Sequence, residues 1–190
     1  MDSWHKLYSE KLVNLIVDEF LVLYENYNKD EDKIYALVLI TDDDALTNYI
    51  MISTERTRNS VHAGVEWEPH SWMQGLSDDD DTFGVRAFTP IIMEHYENDI
   101  APKFQKGFDY DVEFKENLEL YVYALKEAKN KLIEKMGKSI EEIVFFVSIL
   151  GNPDIEVSTA KEINTLTKNL KDFLEIKNNF NILKDTLNFE

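Results

Sequence analysis

Two short, uninterrupted apolar runs constrain the fold of this chain more than any other feature. Ile34-Tyr35-Ala36-Leu37-Val38-Leu39-Ile40-Thr41 is rich in strand formers and bounded by charged segments. Ile143 to Leu150, IVFFVSIL, repeats the pattern far downstream. Apolar runs of this length without alternation read as strands buried in a core, the first of them covered on both faces. Asp42-Asp43-Asp44 turns the chain after the first run, and Asn48 to Thr54 reads as the next strand. The short gap predicts an antiparallel hairpin, because a parallel return needs a crossover of about a dozen residues or more. Between Ser60 and Glu68 the pattern alternates in part. Val61, Ala63, Val65 and Trp67 fall on one side and His62, Gly64, Glu66 and Glu68 on the other, which predicts a further strand ended by Pro69.

The rest reads as helix. Leu12, Leu15, Ile16, Glu19, Phe20, Leu23, Tyr24 and Tyr27 recur at helical spacing with one polar interruption and predict a helix over about Ser3 to Tyr27. A second is predicted over Val85 to Phe104, with Pro90 in its first turns and Pro102 near its end. Asp111 to Met136 carries the clearest apolar stripe, and Gly137 suits the position just past its end. The turn Gly151-Asn152-Pro153-Asp154 leads into a last helix over Ile155 to Lys177, with looser packing from Asn178 onward. Clustered early strands followed mostly by helices predict an α+β fold. The expected architecture is a mainly antiparallel sheet of about four strands with helices packed against it. Residues 1–190 are read as a single domain.

Charge decides which partners such a domain could take. Thirty-seven acidic residues against twenty basic ones give a formal net charge of −17. That surplus opposes binding to nucleic acid, which needs clustered Lys and Arg, and to anionic membrane surfaces. It would steer a basic protein inward. Acidity for solubility alone is the competing reading. The absence of cysteine excludes thiolate chemistry and Cys-ligated zinc, and fits a reducing compartment. Residues 1–15 resemble neither a signal nor a transit peptide, and no apolar run approaches the roughly 20 residues that span a bilayer. The expected location is the cytoplasm.

Few residues point to chemistry. His62, Glu66 and His70 are spaced by four. Gly64 and Pro69 oppose a helix there, and on a strand residues four apart stand roughly 13 Å from each other, too far for one metal. No metal and no cofactor is expected. Asp78-Asp79-Asp80-Asp81 lacks the order of a calcium-binding loop and reads as a solvated turn or as a docking patch for a basic partner. Asp42, Asp43 and Asp44 carry the same two readings, and a tight turn beside a buried strand makes them the better-ordered docking candidate. Trp67 and Trp72 flank Pro69 and read either as lids over the core or as binding anchors. Glu94-His95 and Glu55-Arg56 are acid–base pairs only on paper, since adjacent helical residues diverge. No phosphate-cradling loop, dinucleotide fingerprint or nucleophile elbow occurs.

Several of these segments together resemble an uncharacterised bacterial family of about this length. They are Tyr35 to Asp44, Ser53-Thr54-Glu55, the stretch from Trp67-Glu68-Pro69 to Trp72, and Ile149 to Asp154. In this sequence Glu68 stands where the family more usually has Ser. The family is a domain of unknown function whose members resemble companions of SUKH-superfamily immunity proteins in bacterial toxin neighbourhoods. The resemblance implies an α+β fold, no established catalytic residues and an interaction role. The leading expectation is therefore an acidic protein-binding module, an immunity protein that would neutralise a toxin by occlusion. Its contacts would come from Asp42–Asp44, Asp78–Asp81, Trp67 and Trp72. The alternative is an enzyme of unrecognised type, with Glu55, His62, Glu66 or His70 converging in a pocket.

Overall fold

In the computed structural model, residues 1–28, 32–61, 65–72, 75, 82–104 and 107–187 are described. The two apolar runs are strands. β1 (Ile34–Thr41) is buried at every position and forms the middle of the sheet. β2 (Asn48–Thr54) pairs with it antiparallel, as the hairpin spacing requires. β3 (Val144–Ile149) lies on its other side and runs parallel, with Ala36 opposite Val144 and Thr41 opposite Ile149. The α+β class holds. The expected mainly antiparallel sheet of about four strands is corrected to a mixed sheet of three among the described residues. Around Ser60 to Glu68 the described residues form no strand. Glu55–Ser60 is a short helix, α2, and Pro69–Ser71 a 3-10 turn. Trp67 is drawn inward between them, so its segment closes over the sheet rather than extending it.

Each strand face has its own core. Leu37, Leu39, Ile50, Ile52, Phe145 and Val147 meet α1 (Ser3–Asn28), which supplies Leu12, Ile16, Phe20 and Leu23. Ala36, Val38, Ile40, Val144 and Phe146 face Trp67, Trp72, Leu170 and Phe173. A bulge between Ile34 and Ala36 inserts Tyr35 and turns both Tyr35 and Ala36 toward this second core. The predicted helix over Val85–Phe104 is broken into a 3-10 segment (Gly84–Phe88), α3 (Thr89–His95), a π turn (Tyr96–Ile100) and α4 (Ala101–Phe104). α5 (Tyr110–Met136) then packs along α1 through Leu120, Ala124, Leu125, Ala128 and Leu132. Gly137, at φ 94, ends it.

The single last helix predicted over Ile155–Lys177 is two, α6 (Pro153–Ile163) and α7 (Lys168–Leu187). The break falls at Asn164 because its side chain is committed to the free edge of β3. Asn164 Oδ1 accepts from Phe145 N–H at 2.9 Å, and Nδ2 donates to Phe145 C=O at 2.7 Å. Two residues further along β3, Thr159 Oγ1 accepts from Val147 N–H at 3.0 Å. Two side chains thus satisfy backbone groups on an edge that would otherwise recruit another strand. Lys129 reaches the same place from α5. Its buried ammonium donates to Asn164 Oδ1, Ile143 C=O and Glu141 C=O, and burial pulls its pKa down to about 8.

Glu19 on α1 fixes the 3-10 segment by accepting from Val85 N–H at 2.7 Å. Gly84 has φ +65, and a Cβ there would stand 2.3 Å from Glu19 Oε2, so only glycine fits. Burial pushes the Glu19 carboxyl up to about 7.

Two outcomes follow. Asn164→Ala strips partners from Phe145 N–H, Phe145 C=O and Lys129, and should cost about 3 kcal/mol in urea unfolding. Glu19 binds its proton more tightly folded than unfolded, so its contribution is complete below the ordinary carboxylate value of 4.5 and is lost as pH rises through about 7. Unfolding free energy measured across this window should fall with rising pH. Glu19→Gln, which keeps an acceptor for Val85 N–H, should flatten the profile and be the more stable protein on the alkaline side.

Candidate functional site

The acidic turn after β1 divides its labour. Asp42 is consumed locally. Its carboxylate accepts from Leu46 N–H (2.9 Å), Thr47 N–H (3.2 Å) and Thr47 Oγ1 (2.7 Å), which holds the chain through Ala45 at φ 55. Asp43 and Asp44 are left exposed. Tyr110 Oη donates to Asp44 C=O at 2.6 Å and so brings the start of α5 against this turn. Asp109 caps α5 by accepting from Asp111 N–H at 3.0 Å, and both Asp109 and Asp111 are exposed. Burial raises the Tyr110 pKa well above the ordinary phenol value, and Asp44, Glu113 and Asp42 raise it further.

Aromatic side chains border these carboxylates. Tyr96, Phe104, Phe108 and Tyr110 form a chain of rings with centroids 5.9 to 6.2 Å apart. Phe104 is 38% exposed and Val112 52% exposed. Lys103 lies over the Phe108 ring beside this patch.

Trp67 and Trp72 are not anchors. They are 0% and 3% exposed, respectively, and a side chain with no accessible surface cannot be inserted into a partner. Trp67 meets Tyr35 and Phe173 edge-on, and Trp72 Nε1 donates to Glu66 C=O at 3.1 Å. Both are lids over the second core, and the Arg58 guanidinium lies over the Tyr35 and Trp67 rings. Asp78–Asp81 and His62 lie outside the described residues. His70 is exposed on the 3-10 turn, and Glu55 pairs with Arg58 at 3.8 Å. Among the described residues no three His, Asp or Glu side chains are placed to hold a metal ion.

A buried polar cluster escaped the sequence reading. Asp2 caps α1 by accepting from Trp4 N–H and holds His5 Nδ1 at 2.7 Å, while His5 Nε2 lies 2.7 Å from Asn117 Oδ1. His95 Nδ1 lies 2.8 Å from Asp99, and Trp4 stacks on the His95 ring at 4.1 Å. Glu113 sits between the imidazoles, its Oε1 3.6 Å from His5 Nε2 and 3.4 Å from His95 Nε2. Burial raises the Glu113 pKa, and the two histidines oppose the rise. Among the described residues, His95 Nε2 and Asn117 Nδ2 have no hydrogen-bond partner. The spacings Asp2–His5 and His95–Asp99, three and four along a helix, were the readable signal, whereas the adjacent pair Glu94-His95 drew attention to the wrong neighbour. Such an array can hold or pass a proton, and it opens at His95 onto a small cleft shared with Trp4, Tyr8, Glu94 and Asn98.

Compared with known proteins, the chain matches no family model, no curated protein and no solved structure.

If Trp67 is core, Trp67→Ala should cost about 3–5 kcal/mol by thermal or urea unfolding. An unfolding free energy left unchanged would return Trp67 to the surface.

Proposed function

We propose that this protein is an acidic protein-binding module that docks a basic partner on the face joining Asp43–Asp44 to the start of α5. The hydrogen bond from Tyr110 Oη to Asp44 C=O carries this reading, because it makes one continuous surface of two acidic segments distant in sequence. Asp43, Asp44, Asp109 and Asp111 supply the field, and Phe104 and Val112 supply the apolar contacts first assigned to Trp67 and Trp72. Exposed charges of one sign set approach rate and partner choice more than affinity, and desolvated apolar groups add the affinity. The resemblance to companions of SUKH immunity proteins extends the reading. The partner would be a bacterial toxin met in the cytoplasm, and a basic nuclease cleft, built to bind phosphates, would be occluded by these carboxylates.

The His5–Glu113–His95 cluster favours a second reading, an enzyme with a carboxylate and histidine pocket. Its weakness is geometric, since Glu113 is turned inward between the imidazoles and only His95 lines the cleft.

The test is capture from extract of the native cell on immobilised protein, at low and at physiological salt. Asp43→Asn, Asp44→Asn and Asp111→Asn are combined, leaving Asp42 and Asp109 to their structural duties. The wild type should retain a basic protein that salt releases, and the triple variant should retain roughly tenfold less. Equal retention by both, or none by the wild type, would overturn the reading.

A further inference from the structure

A second surface has the opposite character. A half-open cleft of about 630 Å³ lies between the start of α1, α5 and α6. Leu118, Val122 and Tyr123 give it apolar lining, and Lys6, Lys115 and Lys126 stand around it. Along α5 the residues at 115, 118, 122 and 126 recur at helical spacing, so one stripe of that helix provides most of the cleft. The helical rise sets Lys115 and Lys126 roughly 16 Å apart along the axis, one toward each end.

None of the three lysines forms an ion pair among the described residues. Of the two carboxylates lining the cleft, Glu119 is already bonded by the Met1 amino group at 2.6 Å, which leaves Glu162. Three exposed lysines therefore border one cleft, against the single carboxylate of Glu162, in a molecule whose net charge is −17. Like charges held around a concave surface concentrate the counter-charge there. The volume falls within the range of roughly 300–1,000 Å³ in which small ligands are held. An apolar lining beneath cationic groups selects molecules that have both parts.

From this geometry we propose that the cleft binds a small amphiphilic anion, a carboxylate or phosphate head carried on an apolar body, with a lysine at one end of the cleft, Lys115 or Lys126, engaging the head and Leu118, Val122 and Tyr123, which lie between them, the body. This site is separate from the acidic face and does not rest on the binding role proposed for it.

Anilinonaphthalene sulfonate, an aromatic anion whose fluorescence rises in apolar surroundings, is the probe. The full-length protein should bind it saturably at one site. Lys115→Ala combined with Lys126→Ala should weaken binding severalfold, about what one exposed charge pair supplies. The paired Lys→Arg variant should retain it. Phenylnaphthylamine, the same body without the sulfonate, should bind the wild type and the double alanine variant alike. Hexanoate and hexyl phosphate should displace the probe, and the stronger of the two identifies the head group. Circular dichroism confirms that the variants are folded. Unchanged probe affinity in the double alanine variant, failure of both competitors, or inorganic phosphate competing as well as hexyl phosphate would each overturn the proposal.

Discussion

Everything in this molecule is arranged around the complete burial of β1. A strand with all eight residues inside must be covered on both faces and paired on both edges. β2 and β3 satisfy the edges, and the two cores satisfy the faces. Because the sheet has three strands among the described residues, only β1 has a neighbour on each side. The candidate docking face inherits this order. Tyr121, fully buried on α5, donates to Ala45 C=O at 2.7 Å, so the helix that lies along α1 is also fastened to the turn that carries Asp42 to Asp44.

The second layer is fixed by charge as well as by apolar contact. Lys177 is buried on α7, and its ammonium lies 2.8 Å from both Glu68 and Glu156. Glu156 also accepts from Ser148 Oγ at 2.5 Å. Burial raises the Glu156 pKa, and Lys177 opposes the rise. A buried pair of this kind gains little over well-packed apolar residues, yet losing one partner strands the other charge in a dry interior. The network joins β3, α6, α7 and the segment around Trp67 at one point. Lys129 and Asn164 do the same for α5, the end of α6 and the edge of β3.

Much of this was legible in the sequence. The apolar runs at Ile34–Thr41 and Val144–Ile149 announced buried strands, the short acidic gap announced the hairpin, and the helical periodicities announced α1 and α5. What was not legible depends on contacts distant along the chain. Alternation around Val61 to Trp67 resembled a strand, but burial of Trp67 against Tyr35 and Phe173 outweighed any local preference. Asn164 looked like any polar helical residue, because its partner at Phe145 is visible only in three dimensions. The acidic turn was found as a candidate, while its division into a structural Asp42 and exposed Asp43 and Asp44 needed the hydrogen bonds. His5, His95 and Glu113 were missed because three helical segments bring them together, and no spacing in the sequence records that meeting.

The parallel pairing of β1 with β3 has a consequence for how the chain comes off the ribosome. The partner of Ala36 is Val144, and the helices between them must be synthesised before that ladder can close. Until then β1 keeps one edge unpaired, and the sheet face that Trp67, Trp72, Leu170 and Phe173 later cover lies open. Synthesis at roughly 5–20 residues per second makes that wait several seconds long. Exposed strand edges in that interval invite association with other chains. The acidic residues that flank β1, from Asp30 to Asp32 and from Asp42 to Asp44, give the waiting hairpin a like-charge repulsion that opposes such encounters. Asp43 and Asp44, exposed once the chain is folded, would then serve it twice, first while it is being made and later at its finished surface.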